Sequence, residues 1–579
     1  MSTHTVHSIT ALTPELEAIL KEDTDRRLRN LIAANIKTRY SRSSPQLSDF
    51  RLAIEDKDVQ NDESILSDFR QLVSPTDYES YRPYMMMFNS RPCKLSEVEN
   101  MLAPGLPIYI PLSSATTQKK PKQFAKYFRP QPYSPNPSPF HVRATSLIFT
   151  LAYRDSVEVV TDSGEVVTRI PVCNESIGVT RTQNNWSIET DGTRMASIIP
   201  GHTAPWATGF IIHYRSFLLI HALFALANPS LEGFSVTFIP CFIDMVHRVK
   251  QEWDVLVSSI RNGIIPDFDQ IDHVRPYLQL NMGANPQRAD ELQNIGPPLS
   301  YPGWAQQVWP NLKLLTGVCS GTFAASLPQA RSILGPNVII QNPFYICTEC
   351  LIGRTLNFED TETFVVATDD LIEFLDMREE RPHGQVLQAW DLQPGKFYQP
   401  VSTTHDGLWR YLIDDVIQVT GFDPRNGLPV FKYSRRKNLE LRLPHVIITE
   451  ADLVTVIHAI SGEDIVEVQE FTTVVDDRKF PQIVGFFVSV TGDIGPNAKS
   501  ARQEAFAALV ATSDEHQIAF DADKFCLPTI RIVKPGTFAD YRRWRGESMK
   551  VGVGQIKLPS VLSDPEAQEW MSERIMLEL

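Results

Sequence analysis

Two adjacent carboxylates and a basic cluster form the first group of residues that could do chemistry. Asp414 and Asp415 precede the apolar run 416–419, and a turn at 423–427 leads to a second run that ends in the cations 435–437. A carboxylate beside a strand can accept hydrogen bonds from ribose hydroxyls, and a cationic cluster can neutralise phosphate. The pattern therefore indicates a nucleotide site; the alternative is a surface hairpin with solvated charges.

A second candidate is the polar loop 112–122, which follows the short apolar segment 105–111. It reads Leu-Ser-Ser-Ala-Thr-Thr-Gln-Lys-Lys-Pro-Lys, so four hydroxyls and three lysines lie close together in the sequence. Hydroxyls and backbone amides of such a loop can surround a polyphosphate, which lysines neutralise. The loop lacks the glycine pair of a Walker motif, and a polar surface loop is the alternative interpretation.

A third candidate lies in the apolar segment 338–353, where Tyr345, Thr348 and Glu349 stand together. A single glutamate at a strand end is either an edge charge or a ligand of Mg²⁺, which prefers one or two carboxylates together with phosphate oxygens.

Periodicity predicts the elements that must position these residues. Helices are expected at 14–40 (one or two), 65–73, 214–228, 242–263 (two, or one bent), 447–460 and 501–509. Strands are expected at 105–111, in a hairpin over 157–172, and at 466–475, 483–490 and 529–533. Segment 312–323 reads as a strand that feeds a turn of small residues, as at the ligand edge of doubly wound sheets.

Composition limits the possible functions. The chain has 579 residues, a length that exceeds one ordinary domain, and 42% of them are hydrophobic, which is enough for a large core. Its net charge of -14 argues against a nucleic-acid or membrane partner. The apolar run 217–227 is too short to span a bilayer, the N-terminus carries no secretory pattern, and seven scattered cysteines predict reduced thiols in the cytoplasm.

In this order, these segments resemble the auxin-responsive acyl acid amido synthetases, a family of the adenylate-forming superfamily with a firefly luciferase type of fold. The loop 113–117 resembles the family's SSGTS, 345–349 its Y-x-S-S-E, and 408–416 its LYRYRVGDV. Segments 436–438, 532–538 and 555–560 resemble its RKN, VVKPGTF and QYKTPR. The resemblance covers nearly the whole chain.

The resemblance implies an α/β fold with a large N-terminal adenylation domain (1–435), whose sheets are covered by helices. A hinge (436–443) would join it to a small mobile α+β domain (444–579). It further implies a Mg²⁺-dependent ligase that uses ATP to adenylate a small carboxylic acid, and then transfers the acyl group to an amine, typically of an amino acid. The oligomeric state is left open.

The resemblance also implies roles for individual residues. Eight residues would bind the nucleotide: Ser113, Ser114, Thr116, Thr117, Tyr345, Asp415, Arg436 and Lys437. Glu349 would bind Mg²⁺, Thr348 would lie near the α-phosphate, and Lys557 would be carried to the phosphate by the small domain. Tyr214, Phe217 and Phe323 would line the acyl pocket.

The sequence departs from the family pattern at several positions. Ala115 and Lys119 replace glycines of the nucleotide loop, Asp414 replaces the glycine beside the ribose aspartate, and Leu412 replaces an arginine. An alanine makes close backbone approach to a phosphate harder than a glycine does. The departures leave open a non-catalytic binding protein that retains the fold. A second alternative, from the same superfamily, is a thioester ligase that uses coenzyme A, although the family motifs argue against it.

Overall fold

The computed structural model describes residues 5–113, 122–127, 142–377, 386–437, 440–443, 446–478, 481, 483–549 and 556–579. All seven cysteines lie in these ranges, and none of them forms a disulfide. Among the helices of the described ranges, none has the length and apolar character needed to cross a bilayer.

The helices alternate with short strands over much of the chain. In chain order they are α1 (Pro14–Asn35), α2 (Arg39–Ser43), α3 (Ser48–Ile54), α4 (Ser64–Leu72), α5 (Tyr78–Met86), α6 (Leu95–Val98), α7 (Glu175–Gln183), α8 (Asp191–Arg194), α9 (Tyr214–Ala227), α10 (Ile239–Gln251), α11 (Trp253–Asn262), α12 (Arg275–Gln279), α13 (Pro286–Ile295), α14 (Trp304–Val308), α15 (Leu327–Leu334), α16 (Glu450–Ile460), α17 (Ala501–Thr512), α18 (Asp514–Asp521), α19 (Thr537–Met549) and α20 (Pro565–Ser572).

The strands form several separate sheets. In chain order they are β1 (Cys93–Lys94), β2 (Ile110–Pro111), β3 (Thr145–Ile148), β4 (Asp155–Val160), β5 (Val166–Cys173), β6 (Gly233–Phe238), β7 (Leu314–Val318), β8 (Ile339–Gln341), β9 (Phe344–Ile346), β10 (Leu351–Thr355), β11 (Thr363–Val366), β12 (Leu371–Asp376), β13 (Phe397–Thr403), β14 (Tyr411–Leu412), β15 (Asp415–Phe422), β16 (Pro429–Arg436), β17 (Glu440–Arg442), β18 (Ile447–Thr449), β19 (Glu467–Asp476), β20 (Ile483–Thr491), β21 (Thr529–Val533) and β22 (Ile575–Glu578).

The large N-terminal part is built on three sheets. One is parallel, in the order β3-β6-β7-β8, and α9 and α10 pack on it. Helix α9 is apolar over most of its surface and almost wholly buried, as a core helix should be. A second sheet has the order β1-β4-β5-β2, and the third, with eight strands, runs β12-β13-β15-β16-β11-β10-β9 with β14 paired to β13. The third sheet carries the predicted nucleotide-binding hairpin and the Glu349 turn.

The small C-terminal part has its own core. Its sheet runs β19-β20-β21-β22, and α16 and α17 pack against one another and against this sheet. Its two hydrophobic clusters are drawn only from residues at or beyond Leu441, whereas the clusters of the larger part end at Phe431. The predicted α/β fold with a large and a small part is thus confirmed, and the exact hinge bounds 436–443 stay a prediction.

Two predicted elements differ from the structure. The helix expected at 447–460 begins only at Glu450, because the Thr449 hydroxyl accepts from the amide of Asp452, whose carboxylate in turn caps the amide of Thr449. Residues 447–449 pair instead as β18. The strand expected over 105–111 is limited to Ile110–Pro111, since Gly105 has a φ of 81° and Pro107 has no amide to donate.

Candidate active site

Asp415 lies where the sheet register requires it to meet a cation. It is the first residue of β15 and stands opposite Arg436, the last residue of β16. The Arg436 Nε donates to Asp415 Oδ1 at 3.3 Å, and the Tyr345 hydroxyl donates to Asp415 Oδ2 at 2.5 Å. Burial, and then the carboxylate of Asp415, raise the pKa of Tyr345 well above its usual value, so its phenol stays a donor. Two partners orient the carboxylate, which retains lone pairs for further hydroxyl donors.

The Glu349 turn closes the β9–β10 hairpin beside this carboxylate. The Cys347 amide donates to the Cys350 carbonyl at 3.0 Å, which leaves Thr348 and Glu349 as the two residues of the turn. The Glu349 carbonyl accepts a hydrogen bond of 2.7 Å from the Lys126 ammonium. The turn is therefore fixed at both its ends and its centre.

The charge balance around Arg436 links the turn to the hairpin. Burial lowers the pKa of Arg436, but the neighbouring charges of Asp415, then Glu349, outweigh burial, so the pKa of Arg436 is raised. The charges of both carboxylates thus act on Arg436. Asp415, predicted to bind ribose, and Glu349, predicted to bind the metal, therefore lie around the same arginine.

Ser113 joins the same site through Lys122. The Lys122 amide donates to the Ser113 hydroxyl oxygen at 2.9 Å, and the Ser113 amide donates to the Lys122 carbonyl at 2.9 Å. The Lys122 ammonium lies 3.3 Å from Asp414 Oδ2, next in sequence to Asp415. Asp414, a departure from the family pattern, is therefore the ion-pair partner of the lysine that ends the polar loop. Ser114, Thr116 and Thr117 lie outside the described residues, so their phosphate-binding role stays a prediction.

Lys557 of the small part reaches the same site. Its ammonium lies 4.9 Å from the centre of the Phe238 ring and 5.8 Å from that of Phe323, and these two rings stack at 4.9 Å. Burial, and then the positive charge of Arg436, lower the pKa of Lys557, although Asp415 opposes this. A lysine placed beside another cation in a buried site is suited to a phosphate group that neutralises both.

Glu450 is a site residue that sequence reasoning missed. Its carboxylate accepts from the Tyr433 hydroxyl at 2.5 Å, from the Arg436 amide at 3.1 Å and from the Ser560 hydroxyl at 2.8 Å. Ser560 follows Lys557 by three residues, so Glu450 holds the lysine segment against the end of β16. The sequence signal was a carboxylate in the first turn of α16, which alone reads as a helix-dipole charge.

The remaining predicted residues lie elsewhere or have other contacts. Lys437 donates to Gln399 Oε1 at 2.7 Å. The Tyr214 hydroxyl donates to Asp244 at the contact with the small part, and Phe217 is wholly buried in the core around α9. Phe323 alone of the three predicted acyl-pocket residues contacts the Lys557 region, so the acyl-pocket roles of Tyr214 and Phe217 stay predictions.

The donor set around Glu349 is compatible with a magnesium ion that arrives with a nucleotide. Within the described ranges, no group of three or more His, Cys, Asp or Glu side chains could hold a metal. A nucleotide-bound Mg²⁺ needs only one or two carboxylates besides phosphate oxygens. Glu349 is partly exposed at its turn, and its charge, like that of Asp415, acts on Arg436, so it meets that requirement.

Comparison with solved structures defines the class of fold. The chain is similar to the GH3.15 acyl acid amido synthetase, with a TM-score of 0.75 at 19% identity, covering 98% of this chain and 96% of the other. It is also similar to 2-hydroxyisobutyryl-CoA ligase in its postadenylation state, with a TM-score of 0.50 at 12% identity over 98% and 94% of the two chains. The fold is that of the adenylate-forming enzymes.

Sequence comparison defines the family. The GH3 family N-terminal domain matches residues 21–338 and the GH3 family central domain matches residues 364–436. The chain belongs to the GH3 family. Relatives from Arabidopsis thaliana include the indole-3-acetic acid-amido synthetase GH3.15, 24% identical over 61% of this chain and 62% of its own length. Another is the 4-substituted benzoates-glutamate ligase GH3.12, 25% identical over 57% and 60%. These alignments thus span less than two thirds of the relatives' length.

Proposed function

We propose that this protein is an acyl acid amido synthetase that uses ATP and Mg²⁺ to join a small carboxylic acid to the amino group of an amino acid. The observation that carries the proposal is the meeting of three segments that are distant in sequence: the β15–β16 hairpin with Asp415 and Arg436, the segment with Tyr345 and Glu349, and Lys557 from the small part. Together they provide acceptors for ribose, one carboxylate for a nucleotide-bound metal, and cations for phosphate.

The first step would be adenylation. A carboxylate oxygen of the acid attacks the α-phosphorus of ATP, a new oxygen–phosphorus bond forms, and pyrophosphate leaves with the electrons of the broken bond. The negative charge that develops on the phosphate oxygens favours fixed cations, and Lys557 and Arg436 are positioned to supply them. The metal would add Lewis-acid charge beside Glu349. The protein therefore contributes positioning and charge, and no nucleophile.

The second step would be amide formation. The neutral amine attacks the acyl carbon, the carbon–nitrogen bond forms, and AMP leaves with the electrons of the carbon–oxygen bond while the amine loses a proton. The names of the relatives point to aryl or indole carboxylic acids as acyl donors and to an amino acid as acceptor.

The described chain carries seven cysteines and no disulfide, which supports a reducing compartment such as the cytoplasm.

Acid-dependent exchange of labelled pyrophosphate into ATP tests the proposal. With Mg²⁺ and a panel of aryl, indole and aliphatic acids, at least one acid should give exchange well above background. Lys557→Met should lower that exchange about 10²–10³-fold, as loss of one group that stabilises transition-state charge does. Lys534→Met is the matched control, because Lys534 is an exposed lysine of the same small part, and it should leave exchange unchanged.

The outcomes separate the proposal from its alternatives. Background exchange with every acid would contradict it and favour a non-catalytic binding protein. Exchange followed by a product with the mass of an acyl-CoA, and none with amino acids, would replace it with a thioester ligase. An amide product that depends on the added amino acid is the expected result.

A further inference from the structure

A buried cluster behind the Glu349 turn, formed by Lys126, Glu175, Asp406 and Tyr109, has no role in the reaction as described above. The Lys126 side chain is only 7% exposed, and its ammonium lies 2.7 Å from the Glu349 carbonyl, 3.5 Å from Asp406 and 3.8 Å from Glu175. We call these four residues the Lys126 cluster. It brings together segments of the chain that are separated by up to 297 positions (109 to 406).

The position of Lys126 is fixed by its backbone as well as by its side chain. Its amide donates to the Tyr109 carbonyl at 3.0 Å, and its carbonyl accepts from the Ile108 amide at 2.6 Å. The next residue, Tyr127, donates its amide to Asp406 Oδ1 at 2.7 Å. The backbone at Lys126 and Tyr127 is thus tied to the segment that precedes the polar loop and to the segment that leads to Asp414 and Asp415.

The two carboxylates keep Lys126 charged. Burial lowers the pKa of Lys126, but Glu175 and then Asp406 outweigh burial and raise it. Glu175 accepts from the Tyr109 hydroxyl at 3.1 Å, and burial raises the pKa of Glu175 to about 7 although Lys126 opposes this. A charged donor makes a stronger hydrogen bond to a carbonyl than a neutral one does, so the ammonium holds the Glu349 peptide firmly.

A carbonyl in a two-residue turn is otherwise able to rotate, because each peptide unit of a turn can adopt more than one orientation. The Glu349 carbonyl belongs to the Glu349–Cys350 peptide unit, and rotation of that unit would change the backbone of Glu349 and with it the position of the Glu349 carboxylate. The hydrogen bond from the Lys126 ammonium restricts this rotation.

We propose that Lys126 is a positioning residue for adenylation: held by Glu175 and Asp406, its ammonium fixes the Glu349 carbonyl and so keeps the Glu349 carboxylate where a nucleotide-bound Mg²⁺ needs it. The effect on Mg²⁺ rests on the proposed function. The restraint of the Glu349 turn by Lys126 does not depend on it.

The first test therefore needs no substrate. Hydrogen–deuterium exchange is measured on peptides that cover residues 344–351 in the wild type, Lys126→Met, Lys126→Arg and the control Lys313→Met. Lys313 pairs with Glu232 at 3.3 Å and precedes β7 of the parallel sheet, whereas the turn belongs to the eight-stranded sheet. Exchange at the turn should become at least 10-fold faster in Lys126→Met, remain unchanged in Lys313→Met, and be restored in part by Lys126→Arg, which keeps a charged donor.

The second test measures, by calorimetry, how ATP binding depends on Mg²⁺ concentration. It also measures how the rate of pyrophosphate exchange depends on Mg²⁺ concentration. Lys126→Met should raise the Mg²⁺ concentration for half-maximal ATP binding about 10-fold, in the range seen when a residue that supports a metal ligand is removed. The KM for the acid should stay within 2-fold of the wild-type value. A merely structural lysine would lower the melting temperature without this selective change.

The outcomes are distinct. Wild-type turn exchange and Mg²⁺ response in a folded Lys126→Met would overturn the inference, as would equal acceleration of exchange across the whole chain. Faster turn exchange without any acid-dependent pyrophosphate exchange in the wild type would keep the restraint and contradict the proposed function instead. Should Lys126→Met fail to fold, Lys126→Gln, a neutral donor one bond shorter, takes its place in the same comparison.

Discussion

Asp244→Asn should release the small part from the orientation that brings Lys557 to the site. Arg542 of α19 donates to Asp244 of α10 at 2.6 Å and 2.9 Å, and to Glu470 of β19 at 2.7 Å and 3.1 Å. Burial lowers the pKa of Arg542, but Asp244 and then Glu470 raise it well above its usual value. The Tyr214 hydroxyl also donates to Asp244 at 2.7 Å. The substitution removes the negative charge of Asp244 and so breaks its ion pair with Arg542, which joins the two parts, while Glu470 still pairs with Arg542.

The magnitude follows from burial. The side chains of Arg542 and Asp244 are 4% and 6% exposed, and breaking a buried ion pair on one side costs about 3–5 kcal/mol. Since Glu470 remains, the lower value of about 3 kcal/mol applies, and it corresponds to a roughly 150-fold change in the ratio of docked to released small part. Acid-dependent pyrophosphate exchange should fall because it requires Lys557 in place.

Small-angle scattering is the assay, with Arg248→Met as its matched control. Arg248 makes the other described ion pair between α10 and α19, at 3.3 Å to Asp540, whose side chain is 39% exposed. Exposed pairs contribute about 1 kcal/mol or less, so this variant should keep the wild-type radius of gyration. Asp244→Asn should show a larger radius and slower exchange. A wild-type radius and rate in Asp244→Asn would refute the view that this ion pair holds the two parts together.

Three further variants test separate features. Asp415→Asn should weaken ATP binding by about 2 kcal/mol, roughly 30-fold, because hydrogen bonds to a charged acceptor contribute about 1.5–3 kcal/mol; unchanged affinity in calorimetry would contradict its ribose role. The free energy of unfolding of Glu175→Gln, relative to that of the wild type, should rise by about 3 kcal/mol as pH increases from about 4.5 to above 7. The pKa of native Glu175 is raised from 4.5 to about 7, so the wild type loses stability across that window while the Gln variant does not. Denaturant titrations at several pH values measure this, and parallel pH profiles of the two proteins would disprove it. Gly263→Ala should destabilise by at least about 1–3 kcal/mol, since φ is 67° and an added Cβ would lie 2.4 Å from the Ala284 amide nitrogen; an unchanged melting temperature would count against it.

Elements whose signals are local were predictable from the sequence. The helices α9, α10 and α11, the hairpin β4–β5 and the paired strands β15 and β16 lie where periodicity and turn residues placed them. The end of α11 at Gly263 follows from the left-handed conformation that glycine adopts without strain. The start of α16 was wrong by three residues because a capping threonine competes with the apolar pattern that precedes it.

From the residues alone, the site was predictable only where residues near one another in sequence carry the chemistry, and the family resemblance supplied the distant candidates Glu349 and Lys557. Asp415 and Arg436 are joined by one hairpin, and their pairing follows from its register. Lys126 could not be assigned, because its partners Glu349 and Asp406 lie 223 and 280 positions away and a lone lysine after two apolar residues predicts nothing specific. The acyl-pocket role of Tyr214, which the resemblance implies, stays a prediction. The contact of its hydroxyl with Asp244 at the boundary with the small part could not be foreseen, because Asp244 lies 30 positions away.

A structure of the protein with a bound acyl-adenylate analogue tests the central claim most directly. The account predicts the ribose hydroxyls within hydrogen-bonding distance of Asp415, the phosphate between Lys557 and the Ser113–Lys122 segment, and Glu349 facing the phosphate oxygens. An adenosine bound elsewhere, or at this position with Asp415 and Lys557 both out of reach, would contradict it.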